Sequence, residues 1–251
     1  MRFFGLIGKT LEHSFSPEYF KNKFEREGLS GVYYQLFPLQ KIDQFNQLIT
    51  DYTELSGLNV TIPYKQEIIP FLDEIDTNAQ EIGAVNTIKF SWINNKLHLT
   101  GYNTDYLGFM DSIEPLLKSY HKKALILGTG GSSKAVEYAF KISGIETLKV
   151  SRDLDNSQTV LYKDLNADIF NDYKIIVNTT PLGMYPNIDA CPDIPFQFIT
   201  EKHLAYDLIY NPPVTRFLER AKQQGAYIKN GQDMLEKQAE YSWKIWNNIP
   251  Y

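Results

Sequence analysis

Three polar side chains and a lysine are set within seven residues by Asn59-Val60-Thr61-Ile62-Pro63-Tyr64-Lys65, at the end of an otherwise apolar strand. Leu55, Leu58, Val60 and Ile62 supply the apolar positions. Pro63 can neither donate to a sheet ladder nor continue a strand, so the chain must turn there. The pattern predicts a new helix beginning near Lys65. The positive end of a helix favours acidic side chains over cations, so Lys65 is either simply solvated or its charge is wanted by something that binds nearby.

Further constellations lie on both sides of this segment. His13-Ser14-Phe15-Ser16-Pro17 presents two hydroxyls one residue apart, which share a side in an extended segment. Capping of the following helix accounts for Ser16 as well as ligand binding does; Ser14 has no such local role in the pattern. Gly83-Ala84-Val85-Asn86-Thr87 places a side-chain amide at a strand entrance, and Gly101-Tyr102-Asn103-Thr104-Asp105 ends a hairpin with an acid in front of a helix, which Asp105 could also serve as N-cap. Gly128-Thr129-Gly130-Gly131 lies between a buried strand and a helix, where backbone amides and the helix dipole can hold a pyrophosphate. Ser133 replaces the third glycine of the usual dinucleotide pattern. About twenty residues on stand Ser151-Arg152-Asp153. An arginine there suits a 2'-phosphate and a carboxylate suits a ribose 2'-hydroxyl, so the chain offers both, with the arginine first. Asn178-Thr179-Thr180-Pro181-Leu182-Gly183-Met184 ends a later strand, on the edge where doubly wound folds bind cofactors.

The elements that must position these residues read as α/β throughout. A strand at Phe3 to Ile7 precedes a helix with Pro17 at its first position and Gly28 just past its end. Strands follow at Val32 to Phe37 and Asn59 to Ile62, with helices near Ile42 to Ile49 and Asp76 to Ile82. Val85 to Phe90 and Lys96 to Thr100 read as a hairpin through Asn94-Asn95, and a helix is expected from Tyr106 to Ser119. From Lys123 the alternation sharpens: a strand through Ala124 to Leu127, a helix from Ala135 to Ile142, strands at Thr147 to Val150, Ile175 to Asn178, Leu204 to Tyr210 and Ala226 to Ile228, and a helix at Val214 to Gln224. This alternation predicts a parallel, doubly wound sheet. The last helix, Gly231 to about Trp246, carries Met234, Leu235, Ala239, Trp243 and Trp246 at helical spacing, a core stripe.

Composition narrows the class. The 251 residues, 43% hydrophobic and 22% charged, suffice for one large domain or two modest ones. A formal net charge of -5 gives no general attraction to phosphate backbones or anionic lipid, and no run approaches the length of a membrane span, so neither nucleic acid nor membrane is an expected partner. The single cysteine, Cys191, excludes an internal disulfide and a multi-cysteine metal site and fits a reducing, cytoplasmic setting; no metal is expected. The glycine-broken start MRFFGLIGKTLEH reads as a first strand and not as a signal peptide.

Taken together, hydroxyls, amides, one lysine and one acid suit a small polyhydroxylated acid beside a dinucleotide. In these segments, joined by Tyr206 to Tyr210 and by Met234-Leu235 with Gln238, the chain resembles the stand-alone bacterial shikimate dehydrogenases, with the motifs in family order over nearly its whole length. The resemblance implies an N-terminal α/β substrate domain, residues 1–105 with 231–251, and a Rossmann-type NADP domain, residues 106–230, the C-terminal helix returning to the first domain. It implies reversible NADPH-dependent reduction of 3-dehydroshikimate to shikimate in chorismate and aromatic amino-acid biosynthesis. Lys65 and Asp105 match the catalytic pair. Ser14, Ser16, Thr61, Lys65, Asn86, Asp105, Tyr210 and Gln238 match substrate positions; Gly128, Thr129, Gly130, Gly131, Ser132, Ser151, Arg152, Thr179, Leu208 and Gly231 match cofactor positions. A lysine is ordinarily protonated at neutral pH and can donate to the reduced carbonyl oxygen, with the acid orienting it. Asp153 stands where the family commonly has threonine, which leaves NAD as the alternative cofactor, and Asp233 replaces a glycine often found before Met-Leu. Rival readings are a quinate or dual quinate/shikimate dehydrogenase, a catalytically silent ligand sensor on the same scaffold, and a folate-type dehydrogenase. The chain is expected to act as a monomer or homodimer.

Overall fold

A computed structural model of the chain describes residues 1–12, 14–153 and 159–251. Two compact units divide it: Met1–Thr104 with Gln238–Tyr251, and Asp105–Lys237.

The first unit contains β1 (Arg2–Gly8), α1 (Ser16–Arg26), β2 (Val32–Pro38), α2 (Phe45–Asp51), β3 (Leu55–Val60), β4 (Glu74–Ile75), α3 (Thr77–Ile82), β5 (Thr87–Ile93) and β6 (Lys96–Tyr102). Its six-stranded sheet runs β2-β1-β3-β5-β6-β4 and is mixed: β1 is parallel to β2 and β3, while β5 is antiparallel to β3 and β6. The β5–β6 hairpin turns through Asn94 and Asn95, both in the left-handed region (φ 51° and 61°), as a two-residue primed turn demands. One face buries Ile7, Leu58, Val60 and Ile88. The other carries an aromatic cluster in which Phe4, Phe20 and Phe24 pack with Trp243 and Trp246.

The second unit contains α4 (Asp105–Ile113), β7 (Lys123–Leu127), α5 (Gly131–Ile142), β8 (Glu146–Ser151), β9 (Thr159–Leu161), α6 (Ala167–Asp172), β10 (Ile175–Asn178), β11 (Leu204–Asp207), α7 (Arg216–Gln223) and β12 (Tyr227–Lys229). Its sheet runs β12-β11-β10-β7-β8-β9 with every pair parallel. Strand order reverses between β7 and β10, which makes the carboxyl edge there the ligand-binding position of a doubly wound fold. The last helix, α8 (Gln232–Trp246), begins in the second unit and passes into the first at Gln238.

Four expected boundaries are corrected, each for a local reason. No α-helix starts at Lys65: residues 62–68 form successive turns, and the Lys65 carbonyl accepts the Val85 amide at 2.7 Å instead of a residue one turn on. α1 starts at Ser16 itself. α4 stops at Ile113 and gives way to a single 3-10 turn over Glu114–Leu116, because Pro115 supplies no amide donor. β11 stops at Asp207, whose carboxylate takes the Ile209 amide at 3.0 Å and bends the chain out of the ladder. Two short elements, β9 and α6, had no sequence signal.

Candidate active site

In the first unit, the Ser14 hydroxyl oxygen accepts the Ser16 amide at 3.3 Å. Ser14, which had no local role in the sequence pattern, thus serves the helix start, and the expected Ser16 cap is not made: the helix has no side-chain cap and Ser16 is its first residue. The hydroxyl of Ser16 instead lies beside that of Tyr34. Desolvation pushes the Tyr34 phenol far above its ordinary value, with the Ser16 hydroxyl acting in the opposite direction. His13, which opens this motif, lies outside the described residues.

Asn86 is buried at 2% exposure and fully engaged. Its Oδ1 accepts the Thr104 amide at 2.7 Å, and its Nδ2 donates to Thr104 Oγ1 at 2.9 Å and to Gln238 Oε1 at 3.4 Å. Two expected substrate residues, one just before β5 and one from α8, are therefore brought together. Thr61 follows β3 and pairs its amide with the Ile7 carbonyl at 2.9 Å; its side chain and that of Lys65 are half-buried. Beneath them sit groups that motif reading passed over. Asn59 accepts from the Tyr34 hydroxyl at 2.9 Å and donates to Ser242 Oγ at 2.8 Å, so it faces the interior. The Thr87 hydroxyl meets Ser242 Oγ at 2.8 Å. Ser242 left no sequence trace, since it lies among core positions of α8; Asn59, Thr87 and Thr104 each stood inside a recognised segment.

In the second unit, Asp105 is the first residue of α4 and is buried. Lys65 and Asp105 thus come from different units. The glycine turn is built for close approach: Gly128 has φ +108°, and a Cβ there would lie 2.9 Å from Thr179 Oγ1. Thr179 donates that hydroxyl to the Leu127 carbonyl at 2.7 Å. Gly130 precedes the twelve-residue α5 with no side-chain cap, and a Cβ on it would meet nothing within 4 Å. Thr129 and Gly130 are exposed and Gly131 and Ser132 half-buried, which leaves amides at a helix N-terminus accessible to a pyrophosphate. Ser133, by contrast, is buried and donates to the Gly130 carbonyl at 2.7 Å, the close-packing place of the missing third glycine. Ser151 ends β8 and accepts the Asp153 amide at 3.3 Å, with Arg152 and Asp153 both exposed. The following residues, 154–158, lie outside the described ones.

A second polar cluster holds the edge between β10 and β11. Asp207, 0% exposed, accepts from Asn178 Nδ2 at 3.0 Å, the Ile209 amide at 3.0 Å and Thr215 Oγ1 at 2.6 Å. Burial nevertheless pushes its carboxyl up to about 6. Asn178 Oδ1 in turn takes the amide and hydroxyl of Thr180. These bonds fix the loop that carries Thr179 and the turn that carries Leu208 and Tyr210. Gly231 lies so close to the Leu208 carbonyl that any Cβ would clash, and its amide donates to the Ile209 carbonyl at 3.1 Å; the expected cofactor residues Leu208 and Gly231 are thus neighbours.

The family profile described as the shikimate dehydrogenase substrate binding domain matches residues 6–88. A shikimate dehydrogenase (NADP(+)) of Desulforamulus reducens is 37% identical over 98% of this chain and 89% of its own. The Thermus thermophilus shikimate 5-dehydrogenase, solved with NADP(H) and shikimate, superposes with a TM-score of 0.85 at 27% identity, covering 99% of this chain and 94% of that one. A quinate dehydrogenase of Corynebacterium glutamicum, solved with NAD, gives a TM-score of 0.83 at 27% identity, covering 98% and 94%. With 37% identity to a shikimate dehydrogenase over 98% of its length, and a parallel sheet that carries a glycine turn, the chain belongs to the shikimate dehydrogenase family.

Proposed function

We propose that this chain catalyses the reversible NADPH-dependent reduction of 3-dehydroshikimate to shikimate, in the cytoplasm, as a step of aromatic amino-acid biosynthesis. The observation that carries the reading is the near full-length match to relatives named shikimate dehydrogenase (NADP(+)). In this reading the first unit is the substrate domain and the second the NADP domain. The open glycine turn and the uncapped start of α5 fit the pyrophosphate, and the exposed Arg152 fits a 2'-phosphate. NADPH supplies the hydride to the carbonyl carbon. Lys65 donates the proton to the carbonyl oxygen and, in the reverse direction, takes it from the hydroxyl; Asp105 orients the lysine and that oxygen. Ser14, Ser16, Thr61, Asn86, Tyr210 and Gln238 hold the carboxylate and the remaining hydroxyls.

The test is the rise in absorbance of reduced cofactor when the purified protein meets shikimate with NADP+ or NAD+, and then quinate in place of shikimate. Shikimate oxidation with NADP+ well above that with NAD+ is the expected result. Comparable rates with NAD+ would put Asp153 in control of the cofactor, comparable rates with quinate would favour the dual dehydrogenase, and no turnover with any pair would leave a silent sensor. Sedimentation distinguishes a monomer from a homodimer.

A further inference from the structure

Three adjacent strands of the parallel sheet, β7, β10 and β11, begin side by side, and lysines gather where they begin. Ile175 of β10 is in register with Ala124 of β7 on one side and with Leu204 of β11 on the other. Lys174 therefore lies level with Lys123, and its carbonyl takes the Leu204 amide at 2.9 Å. Lys122 stands one residue before β7 and Lys202 two before β11. These residues line a cavity of about 360 Å³ whose walls hold four lysines and a single carboxylate, that of Asp172. In a chain of net charge -5, so much positive charge in one place runs against the average. The cavity lies at the amino edge of the sheet, the opposite end of β7 from the glycine turn.

Two of the four lysines have local partners. Lys123 Nζ is 3.5 Å from both Glu146 and Asp172. Lys174 Nζ donates to the Phe170 carbonyl at 3.0 Å, near the end of α6, where the helix dipole favours a cation. Lys122 and Lys202 are exposed and make no ion pair among the described residues. Desolvation and the like charge of Lys202 hold the Lys174 ammonium below its ordinary value, while Asp172 and Glu201 act in the opposite direction. Like charges on neighbouring strands cost free energy, and an anion among them recovers it. With neighbouring strands about 4.8 Å apart, the starts of β7 and β11 are roughly 10 Å from each other with β10 between them. One phosphoryl group is too short to meet that whole row, whereas a chain of two or three spans it, and lysine serves as a point charge for each group.

We propose that Lys122, Lys174 and Lys202 form a second anion site, separate from the glycine turn, for a small molecule that carries a chain of two or three phosphoryl groups. Tyr120 also lines the cavity, 48% exposed, and offers an aromatic face beside the phosphates, so a nucleoside triphosphate and an inorganic polyphosphate share the chemistry. The site stands whether or not the proposed function does.

The experiment is a titration of the full chain with sodium tripolyphosphate at low salt, followed by the backbone amide NMR shifts of Tyr120, Lys174 and Lys202. Saturating shifts are expected, with a Kd of about 1 mM or tighter. Lys122→Ala with Lys202→Ala should weaken that Kd by about 10-fold or more, as the loss of two charge-assisted contacts requires. Replacing two exposed lysines elsewhere, Lys21→Ala with Lys163→Ala, should leave it within about 2-fold. Shifts confined to the glycine turn, a response that rises without saturating, or equal weakening by the two pairs of substitutions overturns the proposal. In a parallel titration, ATP binding more tightly than tripolyphosphate upholds the site with a nucleotide as its ligand, and equal affinities uphold it with the phosphate chain alone.

Discussion

Under the proposed function, Lys65 is the residue whose removal should separate chemistry from binding most cleanly. Lys65→Ala is expected to lower kcat by roughly 10²- to 10⁴-fold, the usual worth of a positioned acid-base group, with a smaller change in KM; unchanged turnover in a folded variant removes it from the mechanism. Arg152 makes the corresponding case for the cofactor. A guanidinium on a 2'-phosphate is a charge-assisted contact, so Arg152→Ala should raise KM for NADP+ by about 10-fold or more while leaving KM for NAD+ nearly unchanged. An equal rise for both cofactors would place Arg152 off the phosphate. Both residues are candidates from sequence alone because type and spacing single them out: a lysine after a strand-ending proline, an arginine just past the second strand of a βαβ unit. The roles of Tyr34, Asn59 and Ser242 are not legible in this way. Their partners come from β2, β3, β5 and α8, separated by up to 183 residues in the case of Asn59 and Ser242, and no local spacing encodes a hydrogen bond of that span.

At the scale of elements, packing decides where the sequence pattern could be relaxed. Gly57 of β3 lies against the indole of Trp246, whose Nε1 donates to the Ile88 carbonyl at 3.0 Å. A methyl group there collides with the ring, so Gly57→Ala is expected to destabilise the protein by about 1–3 kcal/mol, read as a lower urea midpoint. On the other sheet, Asp207 and His203 bracket β11 and titrate in opposite senses. Asp207 has a folded-state value of about 6 against an ordinary 3.8; its favourable contribution is complete below the ordinary value and is lost as pH rises through 6. Desolvation holds His203 down at about 4; its contribution is complete above about 6.5 and is lost as pH falls through 4. The two slopes oppose each other between pH 4 and 6. Asp207→Asn removes the first slope, so the stability of the variant relative to the wild type should rise by roughly 3 kcal/mol from pH 4 to 6.5, measured by urea denaturation at both ends. A flat difference would mean that Asp207 does not change charge in that window. Long strands and helices were readable at this scale from periodicity and punctuation. The losses fell where a side chain redirected the backbone, as at Asp207, or where a carbonyl chose a distant amide, as Lys65 chose Val85.

For the molecule as a whole, alternation of strands and helices was enough to give an α/β class and a parallel second sheet. The mixed pairing of the first sheet needed more, because β5 joins β3 antiparallel through long-range contacts that periodicity does not distinguish from parallel ones. The distribution of one residue type over the two units has a spectroscopic consequence. All three tryptophans, Trp92, Trp243 and Trp246, belong to the first unit. Trp92 is 66% exposed, whereas Trp243 and Trp246 sit in the aromatic cluster. Indole emission should therefore hold a red, readily quenched component from Trp92 and a blue, shielded one from the other two, with Trp243→Phe and Trp246→Phe together leaving only the red. During denaturation this emission follows the first unit and is blind to the second, so its comparison with far-ultraviolet circular dichroism, which sees both, reports whether the chain melts in one transition or two.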